Sequence, residues 1–278
     1  MNGEISWEHM LTVLALTTFA GMATGIGGAV GFFVKKNDVR LLTFLLGLSA
    51  GVMVYISFVE LLASAQDSLA EAHGKFSGHL IGLSAFFGGM LVAMLIDRLV
   101  PEDENPHEAH GPAELHVPVA PPKQDAATAL KMRRSGLLFA LAIGIHNFPE
   151  GMATFAAGMN SLTLGVPIAL AVALHNIPEG ITVSVPVYHA TGSRAKAFKY
   201  SILSGLSEPV GAAIAMAFLY PFLSETTLAV LFAAVAGTMV FIAFDELLPM
   251  AERWGFHHIS IYGIIAGMLL MGFTLAVI

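Results

Sequence analysis

The chain carries one hexapeptide twice, 29 residues apart: His146-Asn147-Phe148-Pro149-Glu150-Gly151 and His175-Asn176-Ile177-Pro178-Glu179-Gly180. Both copies lie inside long apolar runs. Each sets an imidazole, a carboxamide, a carboxylate and a proline where a membrane helix should be purely apolar. Polar groups at membrane depth are costly and mark a functional site by default. In a helix, residues i and i+4 share a face, so His146 stacks one turn from Glu150 and His175 from Glu179. Asn147 and Asn176 point about 100° away, which gives each helix ligands in two directions. Pro149 and Pro178 cannot donate to the carbonyls of Ile145 and Leu174, so each helix should kink there. Gly151 and Gly180 let neighbouring helices approach closely.

The surroundings fix the class of protein. Hydrophobic residues make up 56% of the chain and charged residues 12%, with mean hydropathy +0.75. Eight apolar segments stand out: 7–34, 41–65, 78–100, 136–157, 162–187, 197–223, 227–249 and 259–278. Each reaches the roughly 20 residues that a bilayer core requires. The runs lack the alternation of a membrane barrel, and open sheet edges are excluded in lipid. The expected fold is an all-α polytopic membrane protein, one transmembrane domain over 1–278. The first run is too long for a signal peptide and no basic n-region precedes it, so it reads as a retained helix.

Basic residues give the orientation. Lys35, Lys36 and Arg40 follow segment 1. Arg98 flanks the loop after segment 3, which holds Lys123, Lys131, Arg133 and Arg134. Arg194, Lys196 and Lys199 follow segment 5, and Arg253 follows segment 7. Only Lys75 falls on the other side. The positive-inside rule therefore puts both termini outside the cytoplasm in a cell (inner) membrane. With no cysteine, disulfides and thiolate ligands are excluded, which points away from soft-metal chemistry. No nucleic-acid partner is expected, and no ATP-binding motif is present.

The one long hydrophilic stretch, 101–131, is rich in proline and acids and contains His107, His110 and His116. Such composition cannot form a packed core and is expected to be a mobile cytoplasmic loop. Elsewhere the chain repeats itself. Ala50-Gly-Val-Met-Val-Tyr-Ile-Ser-Phe-Val-Glu-Leu-Leu62 matches Ala236-Gly-Thr-Met-Val-Phe-Ile-Ala-Phe-Asp-Glu-Leu-Leu248 at nine of 13 positions, offset by 186. Segments 1 and 6 share a fainter echo, Ala20-Gly-Met-Ala-Thr-Gly-Ile-Gly27 against Ser204-Gly-Leu-Ser-Glu-Pro-Val-Gly211. Segments 3 and 8 show no convincing match. Segments 2 and 7 cross the membrane in opposite senses, so the repeats are inverted about the central pair 4 and 5. Inverted repeats around broken helices are a transporter architecture with a site near the midplane.

The loop between segments 4 and 5 is short, so these helices are antiparallel neighbours with His146 and His175 at matching depth. Two imidazoles and two carboxylates converging there suit a borderline divalent cation such as Zn²⁺. Protonation competes with metal, so acidity should weaken binding. Glu208, in Ser207-Glu208-Pro209, is a third intramembrane acid; with Asn147 and Asn176 it can build an adjacent oxygen-rich site bridged by Glu150 and Glu179. Glu60, Asp245 and Glu246 lie nearer the membrane faces and read as gate or entry residues. Met53 and Met239 read as core packing, and His9, His73, His79, His189, His257 and His258 as interfacial histidines. Glycines 21, 25, 27, 28 and 31 can pack within one chain or build a homodimer.

The doubled His-Asn-x-Pro-Glu-Gly, the Ser-Glu-Pro of segment 6, the histidine-bearing loop after segment 3 and eight helices with both ends outside together resemble the ZIP family of divalent-metal transporters. The resemblance covers nearly the whole chain. It implies eight transmembrane helices in a 3+2+3 arrangement, with helices 1–3 and 6–8 as inverted repeats around helices 4–5. It implies import of Zn²⁺, with Fe²⁺, Mn²⁺, Co²⁺ and Cd²⁺ as further cargo, into the cytoplasm. Carried over by motif, a primary site would comprise His146, Glu150, His175 and Glu179. A secondary site would comprise Asn147, Asn176 and Glu208, sharing Glu150 and Glu179. Met53 would match a methionine ligand that some members carry on helix 2. The resemblance also implies elevator-like motion of a site-bearing bundle against a scaffold. No prosthetic group is expected, because the metal is cargo. Two other readings stay open: a membrane-embedded zinc hydrolase, against which no His-Glu-x-x-His is present and no serine or cysteine nucleophile accompanies the motifs, and a passive metal channel.

Overall fold

Serine, aspartate and glycine punctuate the long apolar runs into separate helices. Ser161, Ser193 and Ser224 each accept a hydrogen bond from the backbone N–H three residues on, and Asp38 does the same for Leu41. These side chains satisfy donors that a helix start leaves open. Gly74, at φ 81°, reverses the chain between two helices with no intervening loop, a conformation that a side chain would strain. The computed structural model describes residues 6–30, 38–98, 144, 147–219, 222, 224–252 and 255–277.

The helices are α1 (Trp7–Val30), α2 (Val39–His73), α3 (Lys75–Asp97), α4 (147–160), α5 (Leu162–Thr191), α6 (Arg194–Phe218), α7 (Glu225–Glu252) and α8 (His257–Val277). Among the described residues there are no strands, and seven helices are long and apolar enough to cross a membrane. Those seven are all but α4. Helix α2 overruns the apolar segment 41–65 by eight residues, because Gln66, Asp67 and Glu71 continue the helix as a mostly polar extension. Helix α5 stays helical through Pro178. The loop 101–131 and His107, His110 and His116 lie outside the described residues.

Packing divides the helices into two groups. Helix α8 lies along the first part of α2, α3 lies along α7, and the end of α2 packs on α7. Separately, α1 packs on α5 and α6, and α5 on α6. The principal junction between the groups is α2 on α5. Helices α3 and α8 are outermost: Phe76, Leu80, Phe87 and Leu91 on α3, and Ile265, Leu269 and Phe273 on α8, are exposed. An exposed apolar face of this kind is what lipid requires.

Close approach is set by glycine, and the approaches come in matched pairs. A Cβ at Gly89 would stand 1.9 Å from the Ala234 carbonyl oxygen, and one at Gly267 2.1 Å from that of Leu48. Ala234 and Leu48 are equivalent in the 2/7 repeat, so segments 3 and 8 obey the repeat in packing although their sequences show none. Gly51 against Ile264 and Gly237 against Phe86 form a second such pair. Gly21, Gly25, Gly27 and Gly28 all pack inside the chain, on Gly205, Ile202, Ile177 and Ser201. That accounts for the small-residue face of segment 1 without a second protomer; Gly31 lies outside the described residues.

The 2/7 repeat hides one more likeness. Ser57–Leu61 in α2 and Ala243–Leu247 in α7 are both π-helical turns at equivalent positions. Such turns insert a residue into the ladder and are frequent at functional sites. They carry the gate candidates: Glu60 is half-buried, Asp245 half-buried and Glu246 buried. Met53 and Met239 lie in the main apolar core.

Candidate metal centre

The two motif helices meet as antiparallel neighbours. Gly158 of α4 lies against Gly165 of α5 where the pair turns. One motif's carboxylate reaches the other's imidazole deeper in, with His175 Nε2 3.3 Å from Glu150 Oε2. Asn147, Glu150, His175, Asn176, Glu179 and Glu208 are all buried, at 0–2% exposure. His146 lies outside the described residues.

The tautomer of His175 follows from its other contact. Nδ1 lies 3.2 Å from the Ala171 carbonyl oxygen, which can only accept, so Nδ1 carries the hydrogen. In the neutral ring Nε2 then has a lone pair facing a carboxylate. Two electron-rich groups at that distance require a cation between them, either a proton or a metal ion. A backbone carbonyl that orients a ligating imidazole is the usual support of such a site.

A second cluster adjoins the first. Asn176 donates through Nδ2 to the Ala20 carbonyl of α1 at 2.8 Å and to Glu208 Oε1 of α6. That fixes the carboxamide, leaving Oδ1 turned the other way. Asn176 Oδ1 and Glu208 Oε2 are buried and have no hydrogen-bond partner among the described residues. Glu150 and Glu179 both act electrostatically on Glu208. Several carboxylates gathered out of water are costly unless cations join them, each buried unpaired charge costing several kcal/mol. Among the described residues, however, no three His, Asp or Glu side chains already stand in metal-holding geometry.

Glu208 is delivered by a break in α6. Pro209 has no N–H for the Gly205 carbonyl, and the helix divides at Leu206 into Arg194–Gly205 and Ser207–Ile214. Glu208 sits in the first turn after the break. Glycines then close the neighbouring helices onto the motifs, Gly180 against the Thr24 carbonyl and Gly151 against that of Glu208. The sequence had not disclosed the carbonyls of Ala171 and Ala20. The first follows from its place four residues before His175; the second depends on where α1 crosses α5.

A polytopic helical membrane protein with the described residues of two His-Asn-x-Pro-Glu-Gly motifs buried in its core defines the class. A family profile described as ZIP Zinc transporter matches residues 97–275. The chain is 65% identical to the zinc transporter ZupT of Akkermansia muciniphila over 98% of its own length and 99% of that protein. It is 48% identical to the ZupT proteins of Streptococcus mutans, over 96% and 98%, and of Campylobacter jejuni, over 98% and 98%. The chain belongs to the ZIP family. That is a family of transporters and not of enzymes, so the hydrolase reading is set aside.

Proposed function

We propose that the protein imports divalent transition-metal ions across the cell membrane, Zn²⁺ first and Fe²⁺, Mn²⁺, Co²⁺ and Cd²⁺ as competing cargo. Mixed imidazole and carboxylate ligation discriminates weakly among these ions. The observation that carries the reading is the buried His175–Glu150 contact between the two motifs, Nε2 to Oε2 at 3.3 Å, with the ring oriented by the Ala171 carbonyl. His146, Glu150, His175 and Glu179 form the primary site, and Asn147, Asn176 and Glu208 the secondary one, with Glu150 and Glu179 shared.

In this reading eight spans are arranged 3+2+3, with residues 147–160 as the second half of the fourth and both termini outside. The bundle of α1, α4, α5 and α6 carries the ion and moves against α2, α3, α7 and α8, in the manner of an elevator. The separation of packing into those groups, joined chiefly by α2 on α5, supports this division. A proton shared by His175 and Glu150 must leave before a metal ion enters. Uptake should therefore fall as the side facing the site is acidified, and an imposed pH gradient should alter the rate; an indifferent rate would remove the coupling.

The deciding experiment uses liposomes loaded with a zinc-sensitive dye. Wild type is expected to give a zinc-dependent signal that Glu179→Ala abolishes. Equal signals from both would put the ion path elsewhere.

A further inference from the structure

The pairing of glycine contacts gives Glu208 a counterpart in the other half of the molecule. Gly27 lies against the Ile177 carbonyl and Gly211 against that of Phe148, the same position of the two hexapeptides. Gly21 and Gly205 lie against each other's carbonyl oxygens. A Cβ at Gly21 would stand 3.2 Å from the Glu208 Cβ, and one at Gly205 3.0 Å from the Thr24 Cβ. On α1, Thr24 thus occupies the place that Glu208 holds on α6.

A second observation concerns the hydroxyl itself. Threonines in α1 satisfy their hydroxyls on the carbonyl four residues earlier, as Thr17 does on Val13 and Thr18 on Leu14. For Thr24 that carbonyl belongs to Ala20, and it accepts the Asn176 carboxamide. Thr24 is fully buried, and its Oγ1 has no hydrogen-bond partner among the described residues. The site residue has taken the acceptor that would otherwise bind the hydroxyl.

We propose that Thr24 Oγ1 is a neutral oxygen ligand to the divalent ion at the Asn147/Asn176/Glu208 site. This rests on the transport reading above. A hydroxyl is a hard, uncharged donor, and oxygen donors suit Mn²⁺ better than Zn²⁺, which accepts imidazole readily. Thr24 therefore tunes selectivity towards oxygen-preferring ions.

The test compares full-length wild type, Thr24→Val and Thr24→Ser in liposomes, measuring KM for Mn²⁺ and for Zn²⁺ separately, with Glu208→Ala alongside. Val keeps the branched shape of threonine and replaces the hydroxyl with a methyl. It is expected to raise KM for Mn²⁺ by about fivefold, the scale of one polar contact, with a smaller rise for Zn²⁺, and Ser should restore both. If Val does not fold, Thr24→Ala removes the hydroxyl without adding bulk and decides the matter. Unchanged KM values in the hydroxyl-free variant, with Glu208→Ala impaired, overturn the role of Thr24 and leave the site intact. An equal loss for both ions that Ser fails to restore also overturns it, as a packing effect. Wild-type transport by Glu208→Ala would overturn the site and Thr24 together.

Discussion

Where α1 crosses α5, Gly180 lies against the Thr24 carbonyl; where α6 crosses α4, Gly151 lies against the Glu208 carbonyl. The backbones meet alike and the side chains do not. Helix α1 runs unbroken from Trp7 to Val30, while α6 divides before Pro209 and brings a carboxylate into the centre. The outer crossings show the same contrast. Helices α2 and α8 meet through Gly47, Gly51, Gly263 and Gly267, whereas the equivalent positions on α7 and α3 read Ala233, Gly237, Ala85 and Gly89. Glycine is kept in both halves at Gly51 and Gly237 and at Gly89 and Gly267. Gly47 and Gly263 have alanine counterparts, although a Cβ at either would also meet a backbone oxygen. The result is a nearly symmetric frame around a site whose third acid comes from one side only.

Breaking that asymmetry should give the largest effect. Glu208→Thr would place on α6 the residue that α1 already has. It removes one carboxylate and leaves the Asn176 amide with the Ala20 carbonyl alone. Even the loss of a group that merely supports a metal ligand costs about 10–100-fold in affinity, so uptake in liposomes should fall by at least that order. Undiminished uptake would mean that the two halves are chemically interchangeable.

The symmetry itself is tested by Gly151→Ala and Gly180→Ala. A Cβ at Gly151 would meet the Glu208 oxygen at 2.1 Å, and one at Gly180 the Thr24 oxygen at 1.8 Å. Overpacking of this kind costs about 1–3 kcal/mol. Thermal unfolding in detergent should show similar losses for the two variants. A loss at one only would show that one crossing yields where the other cannot.

These contacts also explain what could be read from the sequence and what could not. The paired motifs were plain because His, Asn and Glu at apolar depth contrast with everything around them. Of the residues singled out by the motifs, Asn147, Glu150, His175, Asn176, Glu179 and Glu208 are buried in the core, while His146 lies outside the described residues. The likeness of α3 and α8 was illegible because one missing Cβ, at Gly89 or Gly267, satisfies the crossing and lipid-facing positions are free to vary. The polar extension of α2 reads as the end of a membrane segment, yet a helix need not stop where the bilayer does. The π-helical turns left no mark, since neither contains the proline or glycine that usually announces a helix irregularity.

The smallest effect is expected at one of those turns. Ser57 Oγ donates to the Met53 carbonyl at 2.7 Å, and such bonds to the preceding turn bend helices. The hydroxyl therefore looks like the cause of the π-turn in α2. The other half argues against it. The residue equivalent to Ser57 is Ala243, which has no hydroxyl, and the turn forms there all the same. In both copies the N–H of the residue that follows, Leu62 or Leu248, reaches back five residues to the carbonyl of Ser57 or Ala243. The backbone closes the turn unaided. Ser57→Ala should then cost no more than about 1 kcal/mol, the worth of one neutral hydrogen bond, with zinc uptake unchanged. A loss as large as that at the glycine crossings would show that the two turns share a shape but not a cause.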